Sequence, residues 1–403
     1  MIGMSAVIFI PDDTAKTGYP QPLMLQSVMG APLLAWLANA LFDSGVGRFF
    51  LVCHDRYVEA ARACLPAEAE VMTTMDSDPA DLLHVFLSTA EDAEHTITVV
   101  TGPAVYLPQL APQAAGRFPR VYGVSREELM QALDEHFSFA RFLLDNGSPM
   151  NEEQAMYSVA SPAELPEIAG LLQRNRLLAL ARTGVEIYDA SSCYVEPSVR
   201  VAPGARLLPG TMLRGKTVIG ASCVIGPNTL LENTIVEAGS TVNARQCSDS
   251  HLGPNNKIGP FTHVRTGTVT DEGVHLGAYV ETKNANFAEG NTVSHLTYIG
   301  DADVGKYCNF GCGTVTCNYD GEGKYRTTIG DYAFIGCNTN LVAPVKVGSR
   351  AFTAAGSTIG HDVPDGALGI ERAKQAEVAA WGAKKLEKYV AKKQKLEAEK
   401  KND

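Results

Sequence analysis

From Val195 onward one aliphatic side chain recurs at every sixth position. The first run is Val195, Val201, Leu207, Leu213, Ile219, Ile225 and Leu231. The second is Ile329, Ile335, Leu341, Val347 and, after a polar Thr353, Ile359. Glycine follows directly at Gly220, Gly226, Gly330, Gly336 and Gly348. An amphipathic helix needs apolar residues every three to four positions, so this period is not helical. It predicts a parallel β-helix with three short strands per coil and one inward aliphatic per face. One coil cannot bury its face alone; stacked coils share a continuous core.

Between the two runs the count slips. Glu237 to Leu252, Thr266 to Val274, Lys283 to Ser294 and Thr316 to Thr328 read as segments carrying extra residues, expected to leave the solenoid as loops on one side. Ionisable and polar candidates gather there: Arg265, Lys283, His295, Tyr298, Asn309, Asn318, Tyr319 and Lys324.

Upstream the pattern changes. Ala6–Ile10, Phe49–Val52 and Thr96–Val100, the last after an acidic segment, read as buried strands. Leu33–Phe42 and Arg126–Leu144 read as helical. Strands alternating with helices predict a small, mainly parallel α/β sheet. The division that follows is an α/β domain over 1–160, a linker helix over 161–186, a β-helix over 187–372 and a Lys/Glu-rich terminal helix over 373–403. The terminal helix reads as a solvated face rather than a binding element.

Composition narrows the function. The 403 residues are 45% hydrophobic and 20% charged, as in an ordinary globular protein. A net charge of -11 lacks the basic footprint that a nucleic-acid partner requires. No apolar run approaches the ~20 residues of a membrane span. Met1 to Pro11 has neither a basic start nor a small-residue cleavage site, so no signal peptide is expected. Nine cysteines without a C-x-x-C pair suggest reduced thiols in a cytoplasmic protein. Cys223, Cys308, Cys312 and Cys337 are expected to pack as small apolar groups.

Several motifs interrupt the repeat: I-G-P-F (258–261), V-R-T-G around Arg265, V-E-T-K ending at Lys283, S-H-L-T-Y-I-G-D-A (294–302), C-N-Y-D-G (317–321) and L-V-A-P-V (341–345). In this order, residues 160 to 385 resemble the acetyltransferase half of the bacterial bifunctional enzymes that make UDP-N-acetylglucosamine. Those enzymes join a glucosamine-1-phosphate acetyltransferase to an N-acetylglucosamine-1-phosphate uridyltransferase. The resemblance implies a left-handed β-helix, a homotrimer with sites between subunits, and acetyl-CoA as co-substrate. It implies that His295 is the base and that Arg265, Lys283, Tyr298 and Asn309 hold the sugar phosphate. Asn318 and Tyr319 would lie near the acetyl group and the pantetheine arm. Cys312, Cys337, Ala355 and Arg372 would contact acetyl-CoA, and Lys324 would reach a neighbouring subunit's site. Cys312 and Cys337 depart from the Ala and Ser expected there. No metal ligand is implied in this half.

These residue types suit the chemistry on their own terms. An ammonium must lose a proton before it attacks a thioester, and imidazole, with a pKa of ~6.5, is suited to take it. The resulting oxyanion needs a fixed donor, for which Asn318 is a candidate. A phosphate needs cations such as Arg265 and Lys283. His263, His275 and His295 could instead form a zinc site between subunits, a weaker reading. Asn318 could also serve simply as a turn residue in N-Y-D-G.

The first domain resembles a Rossmann-like nucleotidyltransferase remnant. Its phosphate loop should be glycine-rich and basic, but reads P-D-D-T-A-K-T-G (11–18), with Pro22-Leu23 in place of a Pro-Lys pair. Carboxylates repel phosphate, and amide nests need open N–H groups. Gly102-Pro103-Ala104 lacks the expected Mg²⁺ carboxylate, so Mg²⁺ and uridyl transfer are not expected. Two other readings stand beside the first: an acetyltransferase for another amino sugar, and a non-catalytic trimer that binds a nucleotide sugar.

Overall fold

The computed structural model describes residues 4–74, 79–89, 95–110, 119–134, 139–244 and 246–400. The acidic segment before Thr96 and the middle of the expected 126–144 helix lie outside them; the rest of that helix forms two, Arg126–Asp134 and Phe139–Asn146. The N-terminal unit is a six-stranded sheet centred on Ser5–Ile10. That strand pairs in parallel with Arg48–Cys53 and Thr96–Val100. Beyond Thr96–Val100 the sheet turns antiparallel, ending with Ser148–Met150, whose Pro149 suits an edge position. Leu33–Phe42 buries nearly all its length against one face, and Phe50, Phe86 and Val99 fill the other.

The helix Leu165–Arg182 belongs to two cores at once. Ile168 and Leu172 pack in the first domain; Leu177 and Leu180 close the lower end of the solenoid core. Arg176, on the same helix, donates to the Val199 carbonyl and faces Asp43 at 3.4 Å, so one buried guanidinium ties both units together.

The solenoid is a left-handed parallel β-helix, one 26-stranded sheet curled into three faces. Leu207, Ile225, Ile258, Leu276, Val293, Phe310 and Ile335 point inward from the first face. Leu213, Leu231, Val264, Ile299 and Leu341 do so from the second, and Ile219, Val236, Leu252, Phe287, Val304, Ile329 and Val347 from the third. Corners are turned by residues with positive φ, near +50° at Asn228, Asn233, Asn255, Asn284 and Asn338 and larger at glycines such as Gly210, residue types that tolerate that backbone best.

The register corrects the reading of the slipped segments. Regular coils advance by 18 residues, as from Leu207 to Ile225. Around Glu237–Leu252 the advance falls to 16, as from Val236 to Leu252, so residues are lost there rather than gained. Lys283–Ser294 lies in coils that advance by 17. Thr266–Val274 keeps the regular advance of 18, with buried Thr270 in an aliphatic position. Only Thr316–Thr328 carries an insertion, where the advance reaches 25 from Val304 to Ile329. The polar candidates therefore do not share one loop-bearing side; most sit on strands and corners.

Two thiols also depart from expectation. Cys223 and Cys308 are buried, but Cys312 is only partly covered and Cys337 is exposed, because both stand on an outward corner. The terminal helix runs Trp381–Lys400, later than the expected start at 373, and lies open to solvent. Among the described residues no helix is long and apolar enough to cross a membrane.

Candidate active site

Two long strands, His275–Phe287 and Thr292–Val304, wrap all three faces in register, with Ala278 opposite His295 and Lys283 opposite Gly300. They distribute the candidates to two edges of the second face.

The first edge joins faces one and two. His295 stands exposed here, and its carbonyl accepts the Thr297 hydroxyl at 2.6 Å. The next coils place Cys312, Cys337 and Ala355 above it. Backbone bonds run up this edge: Gly313 N–H to Leu296 O at 2.8 Å, Asn338 N–H to Cys312 O at 2.8 Å, and Gly356 N–H to Cys337 O at 2.7 Å. Arg372 closes the series by donating to the Ala355 carbonyl at 3.0 Å. The positions beside this column change character at His295. Below it are bulky exposed groups, with Phe261 stacked on Tyr279 at 5.4 Å and then Leu296. Above it are Gly313, Asn338 and Gly356. The upper half is therefore a shallow, narrow track with imidazole at its foot.

The second edge joins faces two and three. Arg265 pairs with Glu281 at 2.6 Å. Lys324 and then Arg265 press on the Lys283 ammonium and hold it below the usual lysine range. Three cations thus crowd one edge, a potential that favours an anion. Lys324 reaches this cluster from the inserted hairpin, in which it bridges to Tyr319. Tyr319 is exposed, and its hydroxyl donates to the Gly321 carbonyl at 2.7 Å.

Buried Asp301 organises this edge, and sequence reasoning did not single it out. It accepts the side-chain amides of both Asn284 and Asn318. The signal was spacing: Asn284, Asp301 and Asn318 stand 17 residues apart, one per coil. Arg326 was missed too. Its guanidinium spans both Asp303 oxygens at 2.6 Å, and Asn286 supports Asp303 at 2.7 Å.

Tyr298 lies between the edges, its ring over Gly300. A Cβ on Gly300 would come within 2.3 Å of the Tyr298 hydroxyl, so a bare backbone is needed there. Asn309 is apart from both edges, exposed on the first face opposite Thr292 and Phe334. Along Thr292–Val304, His295 and Gly300 are five residues apart, about 16 Å of strand. Within one chain the imidazole and the Arg265–Lys283–Lys324 cluster therefore stand on different edges of the second face. His275 is half-buried on the first face; burial, then Lys257 and His295, push its imidazole pKa down. His263 is exposed on the second face, opposite Glu281. Among the described residues no three His, Cys, Asp or Glu side chains gather as a metal site.

In the first domain, Asp12 accepts the Thr14 hydroxyl at 2.7 Å and pairs with Arg56. Asp13 accepts the Leu23 amide at 2.9 Å. The carboxylates occupy donors that a phosphate loop would leave open. Where Mg²⁺ would be held, Arg120 Nη1 stands 2.6 Å from the position of a Cβ on Gly102, so a cation is already in place. A guanidinium rather than a carboxylate thus stands beside this loop.

Residues 326–361 match the bacterial transferase hexapeptide (six repeats) family. A bifunctional protein GlmU of Clostridium perfringens is 43% identical over 239 residues, 59% of this chain and 53% of the relative. The GlmU of Brevibacillus brevis is 44% identical over 212 residues, 53% of this chain and 46% of its own. The solved UDP-N-acetylglucosamine acyltransferase of Francisella novicida has a TM-score of 0.30 at 21% identity, covering 45% of this chain and 65% of that one. The chain spans about half the length of the curated relatives it matches. Over up to three fifths of its own length, it is similar to the bifunctional GlmU proteins.

Proposed function

We propose that this protein transfers the acetyl group of acetyl-CoA to the amine of glucosamine 1-phosphate, giving N-acetylglucosamine 1-phosphate, as a homotrimer. The observation that carries the reading is the single edge on which His295 underlies Cys312, Cys337, Ala355 and Arg372. A thin acyl-donor arm fits the track above the imidazole, and the bulky Phe261–Tyr279–Leu296 column blocks the opposite direction. The Arg265–Lys283–Lys324 cluster suits a phosphate monoester. An amine and a phosphate on one sugar ring are far closer than about 16 Å, so a second copy of the chain brings its cationic edge to His295.

In this scheme His295 takes the ammonium proton, and the free amine attacks the thioester carbon. The tetrahedral oxyanion collapses, the C–S bond breaks, the departing thiolate takes the proton back from the imidazolium, and the acylated nitrogen gives up its second proton through the freed imidazole to water. On the cationic edge that the second copy brings, Asn318 keeps one side-chain N–H beyond its bond to Asp301 and can donate it to the oxyanion. Acetylation needs no metal in this scheme. The self-satisfied carboxylates of the first domain argue that uridyl transfer is lost there, leaving that step to a separate protein. The setting expected for such an enzyme is the cytoplasm, in UDP-N-acetylglucosamine synthesis for the cell wall.

The test is mass-spectrometric product analysis with acetyl-CoA, a panel of amino sugars, and UTP in parallel. Acetylated glucosamine 1-phosphate without UDP-sugar is expected. His295→Ala should lower the rate by about 10²- to 10⁴-fold. An undiminished rate in that variant would defeat the assignment, and acetylation of another sugar alone would replace the acceptor.

A further inference from the structure

Two cysteines stand directly opposite one another on the acyl-donor edge. Phe310 pairs with Ile335 and Val315 with Asn340, both at an offset of 25, so Cys312 faces Cys337 across adjacent coils. The backbones are close: Asn338 N–H donates to Cys312 O at 2.8 Å, and a Cβ on Gly311 would meet Cys337 N at 2.4 Å. Neighbouring strands lie roughly 4.7–4.9 Å apart. That spacing falls inside the roughly 4.4–6.8 Å range of Cα separations in disulfides. Cys337 is open to solvent and Cys312 partly so. The other solenoid thiols differ. Cys193, Cys223, Cys247 and Cys308 are buried, and burial pushes Cys308 up to about 11. Cys317 is half-covered, and the residue opposite it is Val342.

We propose that Cys312 and Cys337 form a dithiol site for low-molecular-weight disulfides, and that the bridge they make closes the acyl-donor track. The closing of the track rests on the function proposed above; the bridge itself does not. The Cys337 thiolate attacks one sulfur of the small disulfide, forming a mixed disulfide and releasing one thiolate. The Cys312 thiolate then attacks the Cys337 sulfur and releases the second. The small disulfide leaves as two thiols, carrying the two cysteine protons, and one Cys312–Cys337 bond remains. The bridge draws both side chains together over the track between His295 and Ala355, where a linear arm would lie.

The experiment treats the full chain with glutathione disulfide, followed by non-reducing peptide mapping and acetyl-CoA titration. A 312–337 cross-linked peptide pair, two hydrogen atoms lighter, is expected. Acetyl-CoA affinity should fall by about tenfold or more and return with dithiothreitol. Cys337→Ser should give no bridge, and its affinity should be the same before and after oxidant. A glutathione adduct without the internal bond, or a bridge between other cysteines, overturns the dithiol site. A bridge with unchanged acetyl-CoA affinity overturns the closure. If the reduced protein binds no acetyl-CoA, the functional reading fails while the peptide map still decides the bridge.

Discussion

Replacing Arg326 with Ala should free the inserted hairpin without unfolding the solenoid. Arg326 leaves the hairpin at its C-terminal end and donates to Asp303 twice at 2.6 Å, to Ala302 O at 3.0 Å and to Asn284 O at 3.2 Å. Exposed ion pairs contribute about 0–1 kcal/mol each, and this pair is 37% and 46% exposed, so screening reduces it. Its bidentate geometry and two carbonyl bonds raise the total to about 1–2 kcal/mol. The inward Ile299, Ile329 and Leu341 are untouched, so the loss is local. A loss of 1–2 kcal/mol raises the open population about 5- to 30-fold. Amide exchange at Glu322, Gly323 and Tyr325, which bond within the hairpin, should accelerate by that factor. Thermal unfolding of the solenoid should stay put, and Arg326→Lys should recover part of the protection. The effect has a pH signature. Arg326, as the largest influence, holds the Asp303 carboxyl below its ordinary value. The clamp's contribution is therefore complete above the unfolded carboxylate value of ~3.9 and fades as pH falls through the lower folded one. Wild type and variant should converge there. Equal exchange rates in both proteins at neutral pH would refute the clamp.

Lys324→Ala should return the Lys283 ammonium toward its ordinary range, because Lys324 is the largest influence lowering it. Phosphate affinity then persists to higher pH, although weaker at neutrality; NMR titration of the lysine side chains checks the direction. Asp301→Ala strands the amides of Asn284 and Asn318 and should destabilise their corner by about 1–3 kcal/mol, seen in denaturant melts, whereas Asp301→Asn should lose less. Leu341→Ala opens a void at a fully buried position and should cost about 2–5 kcal/mol in the same melts, while the exposed Val342→Ala should cost little.

The six-residue beat was legible because each face takes one inward aliphatic, and nothing else in a chain imposes that period. The corners were not legible. Losing a residue at a corner changes no composition, so a coil of 16 reads like one with something added. Thr270 hid the regular coil around it, because its hydroxyl is satisfied inside by Asn256 at 2.5 Å and the Gly253 amide at 3.1 Å. The catalytic candidates were named from local motifs, which carry type but not place. That His295, Cys312, Cys337 and Ala355 share one edge emerges only from the offsets of 17, 25 and 18 between coils. Asp301 escaped notice because Asp in a turn is ordinary; what sets it apart is burial between two amides. In the first domain the partners of Asp12 and Asp13, Arg56 and the Leu23 amide, were not legible because they lie far along the chain or across a turn.

Seven residues beyond the ordinary coil of 18 enter the wall before Ile329, and pairing on either side resumes in step. Length can vary at that point without turning any later side chain inside out, as a one-residue slip within a strand would. Doubling such a loop adds only about 0.6 kcal/mol of closure entropy. The coil works as a socket. Foreign peptides spliced there should leave the rest of the column a fixed chassis.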